Sequence, residues 1–463
     1  MSFSTLPFLF YFLPAFLVVY YIAPARRRNA VLALGSIYFY WRGAGTGGTL
    51  TLLALVLINY AAARFIEARR GRERRAWLAA ALVCDFGSLF YFKYMGWFLE
   101  NLGTLTGREL SLFRVALPLG ISFYVFQSAA YVIDVYRADA RAERSLVDFA
   151  AFETMFPQLV MGPILRMRDV DARLHARRPF RRAAVEDGFS LFVVGLGCKV
   201  ILADRLAALW AALERIGFAY LSTPLAWFGA VGYSLQLYYD FAGYSLMAMG
   251  LGGMLGFSIP RNFDLPYCSR SVSEFWRCWH ITLGSWFRDY LYVPLGGSRN
   301  GAARLFFSLL AVWTLTGLWH GASWNFVLWG FVLFVLIALE KFLLGGFLKR
   351  HRVFARLYFL FLIPQTWVIF RISDLGELGA YFSRLYPFFS SGESVFAGDF
   401  LRQLKSFWPL FAAGVLLAAP WPRRFYEKYR STPLVWLPLF AVFWLCVYLI
   451  ASGDGSPFLY ASF

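Results

Sequence analysis

A run of 35 residues without any charged side chain, residues 305–339, constrains the fold of this chain more than any other feature. As an α-helix the run would measure about 50 Å, whereas the hydrocarbon core of a bilayer is about 30 Å thick. Basic residues flank it at 299–304 and at 349–356. Because cytoplasmic loops are rich in Lys and Arg, both ends are expected on the same side of a membrane. The run is therefore predicted to form a helical hairpin that breaks near residues 317–321.

The rest of the chain has the composition of a polytopic helical membrane protein. Of its 463 residues, 59% are hydrophobic and 16% are charged, against about 25% charged in a soluble domain. Apolar segments long enough to cross a bilayer recur along the whole length. We predict an all-α fold with about 11–12 spans in a single domain, residues 1–463, whose core covers about 115–345. The predicted spans are 3–23, 30–46, 49–66, 76–98, 115–135, 185–213, 224–257, 305–320, 322–345, 353–371, 405–421 and 433–451.

The basic residues are sorted between loops. The net charge is +18, and Lys and Arg concentrate in short loops such as residues 64–75 and 166–182. The positive-inside rule places these loops in the cytoplasm and the N-terminus outside. Since topology and anionic lipid account for the charge, a lipid bilayer is the expected partner and nucleic acid is not. The first span is predicted to be retained, because Arg26–Arg28 follow Ala23-Pro24-Ala25 directly and no basic residue precedes the span.

Two further apolar segments, residues 145–165 and 271–298, carry basic residues on both sides. A segment with both ends on one side is re-entrant or interfacial, and irregular backbone at membrane depth is tolerated where it is buried in protein or lines a cavity. Both segments therefore predict re-entrant structure around a central cavity. The alternative for 271–298 is an interfacial helix with an aromatic belt. The three- and four-residue spacing of its aromatic residues predicts a helix capped by Ser271 or Ser273. One face of this helix, near His280, would comprise Trp276, Trp279, Leu283, Phe287 and Tyr290.

Two of the four histidines lie in these apolar regions. His320 sits inside the charge-free run, where an ionisable side chain is either functional or a hydrogen-bonding link between helices. A neutral histidine can take a proton from an alcohol, and acyl transfer from a thioester to a hydroxyl needs such a base and a donor for the oxyanion. His320, His280 and Asn325 are candidates for these roles. The five cysteines have no metal-site or disulfide spacing, so no metal is expected.

The block Trp319-His320-Gly321-Ala322-Ser323-Trp324-Asn325-Phe326-Val327-Leu328-Trp329-Gly330 has five companions along the chain. They are Pro118–Gln127, Gln158–Pro163, Tyr239–Tyr244, Phe275–His280 and Arg288–Gly297. Together these blocks resemble the membrane-bound O-acyltransferase family, in particular its bacterial branch for alginate O-acetylation. The ending at residues 456–460 is similar to that branch as well. Leu246 and Cys278 depart from the pattern, which has an Asp and an Arg there.

The resemblance implies an enzyme that moves an acyl group, most simply acetyl, from a cytoplasmic thioester such as acetyl-CoA or an acyl-carrier protein. The acceptor would be a polysaccharide hydroxyl or a periplasmic partner enzyme, and no cofactor would be tightly bound. The location would be a bacterial inner membrane, with the N-terminus in the periplasm. His320 is implied as the general base and His280 as the second catalytic histidine. The residues predicted to line the substrate site are Trp276, Trp319, Trp324, Asn325, Arg288, Asp289 and Asp240.

Three alternatives remain open from the sequence. The first is transfer of D-alanine to a cell-wall polymer, as in relatives that share the Trp-His-Gly core without the Arg288–Gly297 block. The second is a transporter or flippase whose intramembrane histidines relay protons, although such folds often have inverted repeats and none is visible in this sequence. The third is a catalytically silent scaffold of a secretion complex.

Overall fold

The computed structural model describes residues 1–109, 116–386, 388, 396, 398–430, 432–453, 458 and 459. In this part of the chain the secondary structure is helical, apart from one bridge between Phe263 and Trp279, so the predicted all-α class is confirmed. The helices are α1 (Leu13–Ile22), α2 (Arg28–Ala68), α3 (Gly71–Leu89), α4 (Met95–Thr106), α5 (Ile121–Arg137), α6 (Leu146–Thr154), α7 (Phe156–Leu159), α8 (Met167–His175), α9 (Arg182–Gly197), α10 (Asp204–Ile216), α11 (Thr223–Leu255), α12 (Val272–Cys278), α13 (Ile281–Phe287), α14 (Gly301–His320), α15 (Trp324–Leu339), α16 (Gly345–Arg350), α17 (Arg352–Arg371), α18 (Leu375–Leu385), α19 (Asp399–Leu417), α20 (Pro420–Tyr429) and α21 (Pro433–Ala451).

Short stretches of other helix types join several of these elements. The π-helical turns are Phe8–Phe12, Phe90–Tyr94, Cys198–Ala203, Arg288–Tyr292 and Glu340–Leu344, and the 3-10 turns are Ala25–Arg27, Phe218–Tyr220 and Pro266–Cys268. Single π-helical turns inside α-helices are frequent at functional sites. The turn at Arg288–Tyr292 begins one of the sequence blocks described above.

Among the described residues, six helical segments are long and apolar enough to cross a membrane, or seven if the bent pair α19–α20 forms one span. The chain is therefore a multi-pass membrane protein, with fewer candidate spans than the eleven or twelve predicted. One reason is that the predicted spans 30–46 and 49–66 fall within one candidate segment, Ala25–Ala68, although Gly45 (φ +70°, ψ −177°) divides α2 into two helical stretches across a kink. The candidates are Ala25–Ala68, Gly71–Thr106, Gly301–His320, Trp324–Arg350, Arg352–Arg371 and Pro433–Ala451.

The described chain divides into two compact units, and the prediction of one domain over 1–463 stays a prediction. The first unit comprises Met1–Val193 and Tyr244–Arg261, and the second comprises Val194–Gly243 and Asn262–Phe463. Between α18 and α19 of the second unit, residues 387, 389–395 and 397 lie outside the described residues. Of the ending at 456–460, only 458 and 459 are described.

In the first unit, the segment 145–165 forms the short helices α6 and α7, which are broken at Met155. Helices of nine and four residues are too short to cross a bilayer, which agrees with the prediction that this segment does not span. It is buried and joined to α5, because Gln158 Nε2 donates a 3.0 Å hydrogen bond to Gln127 Oε1. Ser128 on α5 donates to the carboxylate of Glu153 on α6. Two of the sequence blocks, Pro118–Gln127 and Gln158–Pro163, thus meet in one polar network.

In the second unit, the charge-free run forms the predicted hairpin. Helix α14 ends at His320 and α15 begins at Trp324, so Gly321–Ser323 make the turn. The two helices touch through glycines, since the Cα atoms of Gly317 and Gly330 face each other across the hairpin. A Cβ on Gly317 would lie 2.4 Å from the carbonyl oxygen of Phe326, and one on Gly330 would lie 2.4 Å from that of Trp313. Backbones can approach this closely only where a side chain is absent.

The segment 271–298 is not the single helix that its spacing predicts. It forms two seven-residue helices, α12 and α13, which are separated at Trp279 and His280. Ser271 caps α12 as predicted, with its Oγ accepting a 3.0 Å hydrogen bond from the Glu274 amide. The buried carboxylate of Glu340 accepts the amides of Val272 and Ser273 at 2.6 and 2.8 Å, which holds the start of α12. The predicted helical face is therefore interrupted before Leu283, because His280 has left-handed backbone angles.

Candidate active site

His320 is the last residue of α14 and lies in an aromatic enclosure. Its side chain is buried, with 2% of the residue exposed. Its imidazole meets the ring of Trp329 edge-on at a centroid distance of 5.0 Å, and that of Phe370 at 5.1 Å. These rings come from α15 and α17, so the enclosure is built by three membrane-candidate helices of the second unit. Such walls exclude water and make the imidazole sensitive to any polar group placed beside it.

The indole of Trp319 contacts the imidazoles of both His320 and His280. Its ring centroid lies 4.9 Å from that of His320 and 5.7 Å from that of His280, in T-shaped arrangements. Trp319 is itself 4% exposed. The structure thus brings His280, Trp319 and His320 together, as the sequence predicts. We call these three side chains the histidine centre.

His280 is held in an unusual backbone conformation. With φ +45° and ψ +53° it is left-handed, which is uncommon for a residue other than glycine. Two backbone hydrogen bonds of 2.9 Å flank it, from the Ile281 amide to the Asn262 carbonyl and from the Asp264 amide to the Cys278 carbonyl. The Nδ1 atom of His280 lies 3.1 Å from Asn262 Oδ1. Burial lowers the pKa of this imidazole well below its usual value, so it is neutral at pH 7.

A cluster of tryptophans supports the histidine centre from one side. Trp276 contacts Trp329 at 5.4 Å and Trp367 at 5.8 Å, and Trp329 contacts Trp367 at 5.9 Å. Aromatic pairs of this kind contribute about 0.5–1.5 kcal/mol each beyond the area they bury. Trp276 was predicted to line the substrate site, and the structure places it next to Trp329, one of the walls of His320. Its contact with substrate stays a prediction.

Asn325 is buried beside this cluster, but its amide is engaged by the chain itself. Its Nδ2 donates to the carbonyl oxygens of Ile369 and Phe370 at 3.2 and 3.0 Å. These carbonyls belong to the last turn of α17, where helical hydrogen bonds are missing. Asn325 therefore joins the start of α15 to the end of α17. Both amide protons are used in this way, and a further role as substrate ligand stays a prediction.

Three more residues that were predicted to line the substrate site are Trp324, Arg288 and Asp289. Trp324 is 53% exposed at the start of α15. Arg288 and Asp289 pair with each other, with Arg288 Nε donating to Asp289 Oδ1 at 2.7 Å. The part of all three residues in substrate binding stays a prediction.

Asp240 belongs to a buried ion cluster in the second unit. Lys199 Nζ lies 2.7 Å from Asp240 Oδ1 and 2.7 Å from Asp204 Oδ1, and all three side chains are at most 2% exposed. The other oxygen of Asp240 accepts the amide of Leu459 at 2.9 Å, and Lys199 Nζ lies 4.5 Å from the ring centroid of Phe458. These contacts make Asp240 an anchor for residues 458–459. Its neighbour Phe241 packs edge-on against His280 at 4.7 Å.

Two other features of the described chain have the composition of a site. In the first unit, ligand atoms of Glu143, Asp148 and His175 lie within 4.8 Å of one another, but His175 already pairs with Glu143 at 3.0 Å and Asn29 donates to Asp148 at 2.6 Å. We assign no metal there. In the second unit, a cavity of about 360 Å³ contains none of the predicted site residues; it is lined by Ala212, Arg215, Ile216, Tyr220, Phe396, Asp399, Arg402 and Gln403.

Sequence reasoning missed Asn262, Lys199 and the walls contributed by α17. Asn262 lies eighteen residues before His280, and no local spacing relates the two. Lys199 was detectable, because it is the one charged side chain in the apolar stretch 188–203, and such a residue is a recognised functional or structural signal. Phe370 has no such signal, since one more phenylalanine in an apolar helix predicts only burial.

The fold and the histidine centre define a polytopic helical membrane protein with two buried imidazoles beside one indole. The chain matches the model of the MBOAT, membrane-bound O-acyltransferase, family over residues 82–370. It therefore belongs to this family and is an O-acyltransferase. His280, Trp319 and His320 all lie within the matched region.

Three curated relatives illustrate the breadth of the similarity. The chain is 40% identical over 440 residues to a probable alginate O-acetylase of Azotobacter vinelandii, covering 92% of this chain and 86% of the relative. It is 30% identical over 413 residues to a peptidoglycan O-acetyltransferase of Helicobacter pylori, covering 81% and 77%. A teichoic acid D-alanyltransferase of Streptococcus thermophilus is 28% identical over 226 residues, covering 45% of this chain and 53% of the relative.

Proposed function

We propose that this chain is an O-acetyltransferase, which takes an acetyl group from a cytoplasmic thioester and delivers it to a polysaccharide hydroxyl or to a periplasmic partner enzyme. The observation that carries the proposal is the histidine centre, in which one buried indole contacts both imidazoles. The relatives that cover most of the chain are described as O-acetylating enzymes of alginate and peptidoglycan, which favours acetyl over D-alanyl transfer. The D-alanyl relative covers less than half of it.

In the proposed reaction, the acceptor hydroxyl attacks the thioester carbonyl while His320 takes its proton. A carbon–oxygen ester bond forms and the carbon–sulfur bond breaks. The proton held by His320 passes to the leaving sulfur, so the products are an ester and a free thiol. No oxidant or reductant is needed. General-base catalysis of this kind contributes about 10²–10⁴-fold to a rate.

The orientation that this reaction needs follows from the sorting of basic loops. We propose that the chain lies in a bacterial inner membrane with the N-terminus in the periplasm, so that the donor arrives from the cytoplasm and the acceptor from outside. Cysteines introduced at 270 and 300, which flank the segment 271–298, should resist an impermeant thiol reagent applied from outside. Labelling at either position from outside would place a full crossing there and overturn this arrangement.

The proposed activity is tested with purified protein in proteoliposomes and a radiolabelled acetyl thioester. Transfer of label to a polysaccharide hydroxyl, or to periplasmic extract protein, as a hydroxylamine-sensitive ester supports the proposal. Transfer of D-alanine from an activated carrier, without acetyl transfer, would instead support the cell-wall branch. Movement of substrate across the vesicle with no new ester would support a transporter. His320→Ala serves as the inactive control.

A further inference from the structure

Three hydrogen bonds converge on the side-chain oxygen of Asn262. The Thr282 amide donates to Oδ1 at 3.2 Å, and the Thr282 hydroxyl donates to it at 2.9 Å. The third group is His280 Nδ1, at 3.1 Å. Asn262 is 1% exposed and His280 is 2% exposed, so the arrangement is shielded from water.

The Thr282 amide determines the orientation of the Asn262 side-chain amide. A backbone N–H can only donate, so the Asn262 atom facing it must be the carbonyl oxygen and not the amide nitrogen. The same oxygen faces His280 Nδ1. Because an oxygen of this kind can only accept, Nδ1 must carry a hydrogen. In a neutral imidazole the lone pair then lies on Nε2.

We propose that Asn262 is a positioning residue that fixes His280 as the Nδ1–H tautomer, so that Nε2 serves as a hydrogen-bond acceptor at the acyl-transfer site. The role of Nε2 rests on the proposed function, whereas the tautomer follows from the hydrogen bonds alone. Of the two roles that the sequence leaves open for His280, general base and donor to the oxyanion, it excludes the donor. A neutral imidazole whose only hydrogen is bound to Asn262 cannot donate from Nε2 to a carbonyl or an oxyanion. It can instead accept a hydrogen bond from a donor group at the site, while His320 remains the base that takes the proton of the acceptor hydroxyl.

The backbone around His280 supports the same conclusion. Asn262 also holds this segment through its backbone, because its main-chain carbonyl oxygen accepts a 2.9 Å hydrogen bond from the Ile281 amide. Phe263 and Trp279 form the antiparallel bridge that continues this pairing. Left-handed backbone in a non-glycine residue is energetically unfavourable and persists where the surrounding structure determines it fully. Here the surroundings are the segment 262–264, which directs the imidazole toward Trp319.

The tautomer is measured by NMR on protein labelled with carbon-13 and nitrogen-15 in histidine. With four histidines in the chain, the His280 signals are identified by comparison with His280→Gln. The expected result is a neutral ring protonated at Nδ1, and loss or mixing of that tautomer in Asn262→Ala. A wild-type ring protonated at Nε2, or an unchanged tautomer in Asn262→Ala, would overturn the proposal. Since neither donor nor acceptor is present, this result stands even if the protein has no acetyltransferase activity.

Activity supplies the second readout. Asn262→Ala should lower acyl transfer per mole of folded protein by about 10–100-fold, as is usual for partners that orient a site histidine. Asn300→Ala, an exposed asparagine before α14, is the matched control and should have wild-type activity. Asn262→Asp keeps the acceptor oxygen and adds a negative charge, which favours the protonated imidazole. It should retain the Nδ1–H tautomer and move the acid limb of the pH–rate profile to higher pH.

A merely structural role for Asn262 gives a different pattern. Activity lost only in proportion to folded protein, with the same pH–rate profile in Asn262→Asp, would overturn the positioning role. Should Asn262→Ala fail to fold, Asn262→Asp alone decides the question through its pH profile and its histidine signals.

Discussion

The contact between α14 and α15 makes Gly317 a sensitive position for the histidine centre. Gly317→Ala would place a Cβ 2.4 Å from the carbonyl oxygen of Phe326, whereas real Cβ contacts are not shorter than 3.0 Å. The neighbouring atom is backbone, so a side-chain rotation cannot relieve the clash. The helices must separate by about 0.6 Å or more at this point. His320 is three residues further along α14, at its last position, and must move with it.

The expected magnitudes follow from this displacement. Overpacking of a tight contact costs about 1–3 kcal/mol, while replacing a helical glycine with alanine returns about 1 kcal/mol. Stability should therefore fall by about 0–2 kcal/mol. Activity should fall further, because a displacement of about 1 Å at a reacting group can reduce the rate about 10²-fold. We expect a loss of about 10–100-fold in acyl transfer.

The assay is acyl transfer per mole of folded protein, with folding followed by thermal melting in detergent. Gly87→Ala on α3 is the matched control, because no atom lies within 4 Å of the added Cβ. It should be as stable as the wild type or slightly more so, with full activity. Wild-type activity and melting temperature in Gly317→Ala would refute the reasoning, because the hairpin contact would then not position His320.

Three further predictions concern stability, and each is measured by thermal melting in detergent. Lys199→Met removes the cation shared by Asp204 and Asp240 and should lower the free energy of unfolding by about 3–5 kcal/mol. Adding Asp240→Asn should recover part of this loss, and an unchanged melting temperature in Lys199→Met would refute the buried cluster. Asn325→Leu removes the amide that holds the last carbonyls of α17 and should cost about 1–3 kcal/mol, and no loss would show that these bonds are unimportant. Because the folded state holds His280 neutral, stability should fall as the pH drops below about 6.5. His280→Gln should make this dependence shallower, and the same slope of stability against pH in the variant and the wild type would contradict the prediction.

The hairpin was predictable from the sequence, whereas the break at His280 was not. The length of the charge-free run and the basic residues on both sides leave few arrangements for residues 305–339, and α14 ends at His320 as that argument requires. In 271–298 the spacing of Trp276 and Trp279 indicates a continuous helix. The pairing with residues 262–264 interrupts it, and a long-range contact of that kind leaves no local pattern.

The count of spans shows the same limit in another way. Charge and hydropathy locate apolar segments well, but they do not reveal whether two neighbours join. Gly45 is the example, because its φ of +70° and ψ of −177° kink α2 between two helical stretches, and the predicted spans 30–46 and 49–66 fall within the single candidate segment Ala25–Ala68. Polar side chains show the same limit, because the sequence does not reveal their hydrogen-bond partners. Asn325 and Asp240 look like substrate ligands in sequence, while in the structure their hydrogen bonds go to the chain itself.

The most direct measurement of the central claim is the activity of His320→Gln beside His320→Ala. Glutamine keeps hydrogen-bonding capacity at the end of α14 but cannot accept the proton of an attacking hydroxyl. If His320 is the general base, both variants should fall to near-background acyl transfer per mole of folded protein, a loss of about 10²–10⁴-fold or more. Both should still melt cooperatively. Substantial transfer by His320→Gln, with a lower yield of folded His320→Ala, would contradict the account and leave His320 as a structural link between helices.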